Sequence, residues 1–189
     1  MIEVEGINAF GRVSHYERKG LYAPSEVLPH IRPETEPVEF DGDPVRMNSA
    51  RYVLFNESLV CVRCGLVGTY FAKERSIYYN KHVNMYWPTS RLYHFNLYGI
   101  KNGREIMFTK DHIIPRSRGG TEDQSNFQTM CSPCNTRKKD RLPDEMNEEY
   151  AAWRERVERR DLEGRIEQAR VFGKDAVDAL LGKFDEAAE

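Results

Sequence analysis

The sequence predicts an α+β protein: a β-rich middle stapled by metal, an irregular proline-rich arm before it and a helical tail after it. Three observations predict this. The four cysteines fall into two Cys-x-x-Cys knuckles, Cys61–Cys64 and Cys131–Cys134. Five of the nine prolines (Pro24, Pro29, Pro33, Pro37 and Pro44) lie within residues 1–50. Short strand-like runs fill the middle, whereas apolar residues beyond residue 142 recur at helical spacing.

In chain order, residues 1–50 read as an extended, turn-rich arm. Proline at that density prevents long helices and central strands. Short strand-like runs such as Val38-Glu-Phe40 add edges there. The module spans residues 51–141. Tyr52, Leu54 and Phe55 precede Leu59–Val62, a strand feeding the first knuckle, and Gly65 and Gly68 supply its tight turn. Tyr70, Phe71, Tyr78, Tyr79, Tyr86 and Trp87 follow. Core packing is their first reading, and stacking on unpaired bases the second. Residues 91–110 read as a hairpin turning at Asn102-Gly103, because Asn-Gly tolerates the positive φ of a type I′ turn. The returning strand leads into Asp111-His112.

Phe127–Met130 reads as another short strand. A basic helix begins near Cys134, runs through Arg137-Lys138-Lys139 and ends before Pro143. The tail, residues 142–189, carries one apolar stripe at Met146, Tyr150, Trp153 and Val157. After an interruption at Asp161–Gly164, a second runs through Val177, Leu180, Leu181 and Phe184. Both are suited to pack on the core or to pair two chains as a homodimer.

The 189 residues suffice for one core and an appended element. Net charge is only −2, yet it is segregated. Residues 1–50 hold 5 Lys and Arg against 9 Asp and Glu, residues 51–141 hold 15 against 7, and residues 142–189 hold 8 against 14. A basic module within an acidic chain is the footprint of a polyanion site, or else a solvated basic face. No apolar run approaches the ~20 residues of a membrane span. The first residues lack a signal-peptide pattern, so the expected location is the cytoplasm. There, paired knuckles favour a metal over disulfides. A thioredoxin-like redox pair explains one knuckle but not two.

The chemistry follows from ligand types. Four thiolates at Cys61, Cys64, Cys131 and Cys134 make a closed tetrahedral zinc site, which is structural because it has no open position. Asp111 and Asn135 offer oxygen donors suited to Mg²⁺ or Mn²⁺. His112 offers an imidazole that titrates near neutrality, as a general base must. Asn126 is placed to hydrogen-bond the loop and orient His112.

These residues resemble the HNH endonucleases, or ββα-metal nucleases. The matching string is Cys61-x-x-Cys64, Asp111-His-Ile-Ile-Pro-Arg-Ser-Arg-Gly-Gly120, Asn126, Cys131-x-x-Cys134-Asn135 and Lys138. It looks most like the small zinc-stapled members encoded by phages and bacteria, over residues 50–141. The resemblance implies a ββα-metal core and DNA as substrate. It implies hydrolysis to 5′-phosphate and 3′-hydroxyl ends, with His112 as base and one divalent metal on Asp111 and Asn135. The family's last position is often His. Here Asn135 makes Mg²⁺ or Mn²⁺ the expected ion rather than catalytic zinc. Arg116, Arg118, Arg137 and Lys138 are expected on flanking phosphates. The rival reading is a zinc-stapled nucleic-acid-binding protein, or a phage assembly or packaging accessory, without independent catalysis.

Overall fold

The computed structural model describes residues 2–7, 13–80, 82–83 and 85–146. The expected tail stripes, from Tyr150 onward, lie outside the described residues. The described chain is a mixed α+β structure, mostly sheet with few helices. Nine strands and three α-helices are described: β1 Ile2–Ile7, β2 Val13–Tyr22, α1 Pro24–Val27, β3 Val38–Phe40, β4 Asp43–Val45, α2 Ala50–Glu57, β5 Tyr70–Asn80, β6 Met85–Pro88, β7 His94–Lys101, β8 Arg104–His112, β9 Phe127–Cys131 and α3 Ser132–Lys138.

The main sheet runs β1-β2-β5-β7-β8-β9, with β6 also paired to β5. All its pairings are antiparallel. Asn102 and Gly103 turn β7 into β8 with φ of 53° and 72°, the type I′ geometry that Asn-Gly favours. Phe71, Phe95, Leu97, Phe108 and Met130 form the main core, joined by Tyr52 and Phe55 from α2. A smaller cluster of Tyr70, Ala72, Tyr98 and Met107 fills the other face. Tyr52 also bonds the sheet directly: its Oη accepts from the Phe95 N–H at 2.9 Å.

The irregular-arm expectation needs correction. Val13–Tyr22 is a ten-residue strand paired with β5, and β1 pairs with it in turn. The reason is in the order of residues. No proline precedes Pro24, so the first half of the supposed arm is free to pair. Only the stretch from Pro24 to Pro44 is turn-rich, with α1, a short 3₁₀ turn and the β3–β4 pair. Strands from both sides of residue 50 therefore share one sheet. The expected strand at Leu59–Val62 is reduced to a single bridge, Val60 to Val67.

Candidate metal centre and active site

The first knuckle is docked onto β9 by backbone. The Val62 N–H donates to the Thr129 carbonyl at 2.9 Å, and Thr129 Oγ1 donates to the Ser58 carbonyl at 2.8 Å. The second knuckle sits where β9 becomes α3, with Pro133 in the first turn, where a missing N–H costs nothing. All four sulfurs consequently lie within 4.8 Å of one another, with Cys64 Sγ 3.7 Å from Cys131 Sγ and no disulfide formed. A tetrahedron with ~2.3 Å arms has edges of roughly 3.8 Å, so the cluster fits a metal such as zinc. The thiols perturb one another. Hydrogen bonds from Cys131 and Cys134 hold Cys61 and Cys64 below the ordinary thiol value. Cys131 is pushed up by Cys134 and Cys61, and Cys134 is pushed up by Cys61 and Cys64 despite an opposing effect of Cys131. A bound dication would remove that competition.

Asp111 and His112 end β8, opposite Gln128 and Phe127 of β9. Strand alternation sends their side chains to different partners. Asp111 is buried. Its Oδ2 accepts from Gln128 Nε2 at 2.7 Å and from Lys138 Nζ at 2.8 Å. Asn135, on α3, donates through Nδ2 to Thr109 Oγ1 at 3.0 Å. Among the described residues nothing hydrogen-bonds to Asp111 Oδ1 or Asn135 Oδ1. A carboxylate oxygen and an amide oxygen are each donors of the kind that hard divalent ions take.

His112 packs its ring edge-on against Phe127, with centroids 4.9 Å apart. Its Nε2 lies 2.9 Å from Glu122 Oε1. Arg116 Nε bonds the same carboxylate oxygen and lies 3.4 Å from His112 Nε2. The single Nε hydrogen goes to the nearer partner, Glu122. An ionised carboxylate only accepts, so His112 Nε2 is the donor in its contact with Glu122. Lys110 adds a longer contact to Glu122 at 3.7 Å. The Arg116 guanidinium, helped by the imidazole, holds the Glu122 carboxyl down at about 2.

Asn126 ties the intervening loop. Its Oδ1 accepts from the Ile114 N–H at 2.9 Å, and its Nδ2 donates to the Ile114 and Thr121 carbonyls at 3.1 and 2.9 Å. The Asn126 carbonyl also accepts from the Ile113 N–H at 2.8 Å, directly after His112. Gly120 lets these strands of loop close up: a Cβ there would stand 1.7 Å from the Ile114 carbonyl oxygen.

Of the expected phosphate contacts, Arg116, Arg118 and Arg137 are exposed. Arg118 reaches Glu145 at 3.5 Å. Lys138 is the correction. It is 2% exposed, with its ammonium turned inward to Asp111 and to the His112 carbonyl. A side chain so enclosed is a clamp between α3 and the end of β8, and a flanking phosphate is out of its reach. Glu122 is the residue that sequence reasoning missed. An acid two residues after a Gly-Gly pair carries no signal until the loop folds it onto His112.

Residues 101–151 match the family described as HNH endonuclease. No curated protein and no solved structure matches the chain. The matched span includes β8, the Asn126-tied loop, β9 and α3, and leaves Cys61 and Cys64 outside it. By that match, this chain carries an HNH endonuclease family segment over residues 101–151.

Proposed function

We propose that this protein is a metal-dependent DNA endonuclease whose ββα-metal core is β8, β9 and α3. One observation carries the reading: Asp111-His112 ends β8, and α3 is tied to that strand by Asn135 to Thr109 and by Lys138 to Asp111, inside the HNH segment. Asp111 Oδ1 and Asn135 Oδ1 would hold Mg²⁺ or Mn²⁺. Such an ion, when bound, supplies Lewis-acid stabilisation of the charge on the phosphorane and the leaving 3′-oxygen.

The chain's own residues do the rest. Glu122 holds the His112 Nε2–H, leaving Nδ1 to take a proton from the attacking water. Water adds to phosphorus in line as the bond to the 3′-oxygen breaks, and the 3′-alkoxide takes a proton from solvent, giving 5′-phosphate and 3′-hydroxyl ends. Asn126 fixes the loop that carries Glu122 and Arg116. Arg116, Arg118 and Arg137 are the cations left to hold flanking phosphates. In this reading the cysteine cluster is a structural zinc, residues 51–141 are the nuclease unit, and the tail supplies any homodimer. The cytoplasm is the working compartment.

Plasmid cleavage with Mg²⁺, Mn²⁺ or EDTA, beside His112→Ala, tests the proposal. Metal-dependent nicking or linearisation that falls by ~10²–10⁴ in His112→Ala is the expected result. A second reading is favoured by Lys138, which already neutralises Asp111. In it, the segment binds nucleic acid without cutting, as a packaging or assembly accessory. DNA retention with no cleavage under either metal, in zinc-loaded folded protein, would establish that reading instead.

A further inference from the structure

The β5–β6 ribbon carries large side chains that the core does not use. Tyr78 is 50% exposed and Trp87 47%, and all of β6 is open to solvent. Tyr78 and Trp87 are direct cross-strand partners, so their rings rise from one face of the ribbon. The surrounding segment is free of carboxylates. Residues 75–93, which form the ribbon and lead into β7, contain Arg75, Lys81 and Arg91 and no Asp or Glu, with Arg75 held by Glu17 of β2 at 2.6 Å. Paired exposed rings in a segment without carboxylates, beside exposed Arg91, complement nucleic acid, with a cation for phosphate and rings for bases.

Strand register locates the ribbon. β2 occupies one edge of β5 as far as Ile77. β6 also pairs at Ile77, so it lies along the other edge, ahead of β7. Tyr70, Tyr98 and Met107 form one row across β5, β7 and β8, and β5 and β8 run in the same direction. From that row Asp111 stands four residues along β8, and Tyr78 eight along β5. Trp87 thus lies at the same end of the sheet as Asp111-His112, one strand across and four residues beyond. At ~3.3 Å per residue and ~4.8 Å per strand, that is roughly 15 Å. Alternation puts Tyr78 and Trp87 on the face that carries Asp111. The separation corresponds to about four nucleotides at ~3.4 Å each.

We propose that Tyr78 and Trp87 form a stacking platform for unpaired bases of the strand flanking the scissile phosphate. The preferred substrate is then DNA with a gap, bubble or branch a few nucleotides from the cut. The position of the cut rests on the endonuclease reading, whereas the stacking does not.

The test uses full-length, zinc-loaded protein carrying His112→Ala to stop cleavage and Trp153→Phe to leave Trp87 as the sole tryptophan. It is titrated with a fully paired duplex and with the same duplex interrupted by a short gap, and Trp87 fluorescence and affinity are read. Gapped DNA should quench Trp87 and bind more tightly than duplex. Trp87→Ala with Tyr78→Ala should lose roughly tenfold in affinity for gapped DNA alone, and Trp87→Phe should retain it. Equal quenching by both DNAs, or unchanged gapped-DNA affinity in the double variant, overturns the platform. So does a dimer that Trp87→Ala dissolves, because the rings would then belong to a second copy. Quenching by gapped DNA, with no cleavage by the parent protein, leaves the platform standing and sinks the nuclease. Cleavage without quenching does the reverse.

Discussion

Two carboxylate clusters in the same sheet are built to opposite ends. In the first, Glu74 is fully buried, and both its oxygens are consumed. Arg18 Nε reaches Oε1 at 2.6 Å, while Asn96 Nδ2 and Tyr98 Oη donate to Oε2 at 2.7 and 3.0 Å. Arg18 continues to Glu105 at 2.7 Å, and Tyr70 bonds that same carboxylate. Burial still pushes the Glu74 carboxyl up, with Arg18 offsetting it only in part. In the second cluster, Asp111 keeps one oxygen unbonded and Glu122 stands in solvent against His112 and Arg116. A saturated carboxylate holds strands together. One with a spare lone pair at a strand end is equipped for a ligand. The difference is one of satisfaction, not of residue type.

The comparison breaks first at the metal. Structural zinc in small domains contributes on the order of 10 kcal/mol of folding free energy. Stripping it with a chelator, or substituting Cys131→Ala, should therefore dismantle β9, α3 and the Asp111 cluster. The Glu74 cluster should persist. Hydrogen exchange would read this as protection lost over residues 127–138 and kept in β2, β5 and β7. Metal analysis should give one zinc per chain. Equal loss of protection in both regions would mean that the two clusters share one cooperative unit.

Next comes Arg18→Met. It leaves Glu74 buried without its cation, which costs about 3–5 kcal/mol. Arg18→Met with Glu74→Leu should recover most of that, since two apolar groups need no partners. Denaturant melts of the two variants settle it: if single and double are equally unstable, the cluster is packing rather than electrostatics. Cleavage well below the melting temperature should be unchanged in both.

How much of this was legible depended on sequence distance. The knuckles, Asp111-His112, the Asn102-Gly103 turn and α3 are each set by residues within four positions, and they appear where spacing put them. The Arg18–Glu74 pair joins residues 56 apart and Arg18–Glu105 residues 87 apart. No local pattern announces either, which is why β2 read as part of an arm. Lys138 failed for a related reason. A lysine in a basic run reads as solvated until α3 is docked on β8. The exposed aromatics failed in the other direction. Tyr78 and Trp87 read as core because rings usually are, and only the outlying position of β6 exposes them.

His94 gives a smaller effect, in the pH dependence of the saturated side. It is partly buried, and its Nε2 lies 3.3 Å from Asn96 Nδ2 of the Glu74 cluster. Burial, with Arg51 nearby, pulls its pKa down to about 3 from 6.5. The unfolded chain therefore takes up a proton that the folded chain refuses. Stability from the neutral ring is complete above pH 6.5 and is lost as pH falls from there toward 3. Between pH 6.5 and 5 most carboxylates are still ionised, so the difference between wild type and His94→Gln in thermal melts over that window isolates this histidine from the other four. Tm should decline there in the wild type and hold level in His94→Gln. A parallel decline in both would assign the acid sensitivity to other groups.

The smallest expected effect lies on the open side, at Glu122. Its carboxylate touches imidazole rather than substrate, so it acts as a positioning residue. Removing it should cost only a few-fold in rate, well short of the ~10²–10⁴ carried by a general base itself. Glu122→Gln keeps an oxygen that accepts the His112 Nε2–H and should retain most activity. Glu122→Ala offers none and should lower kcat with little change in KM. The ring's nitrogen NMR shifts supply a readout that general destabilisation would not move. They should report the Nε2–H tautomer in the wild type and Glu122→Gln, and a mixture of tautomers in Glu122→Ala. If the tautomer is unchanged in Glu122→Ala, the loop backbone held by Asn126 orients His112 without help. Glu122 would then be a partner for Arg116 and Lys110 alone, and the open cluster would be simpler than its distances imply.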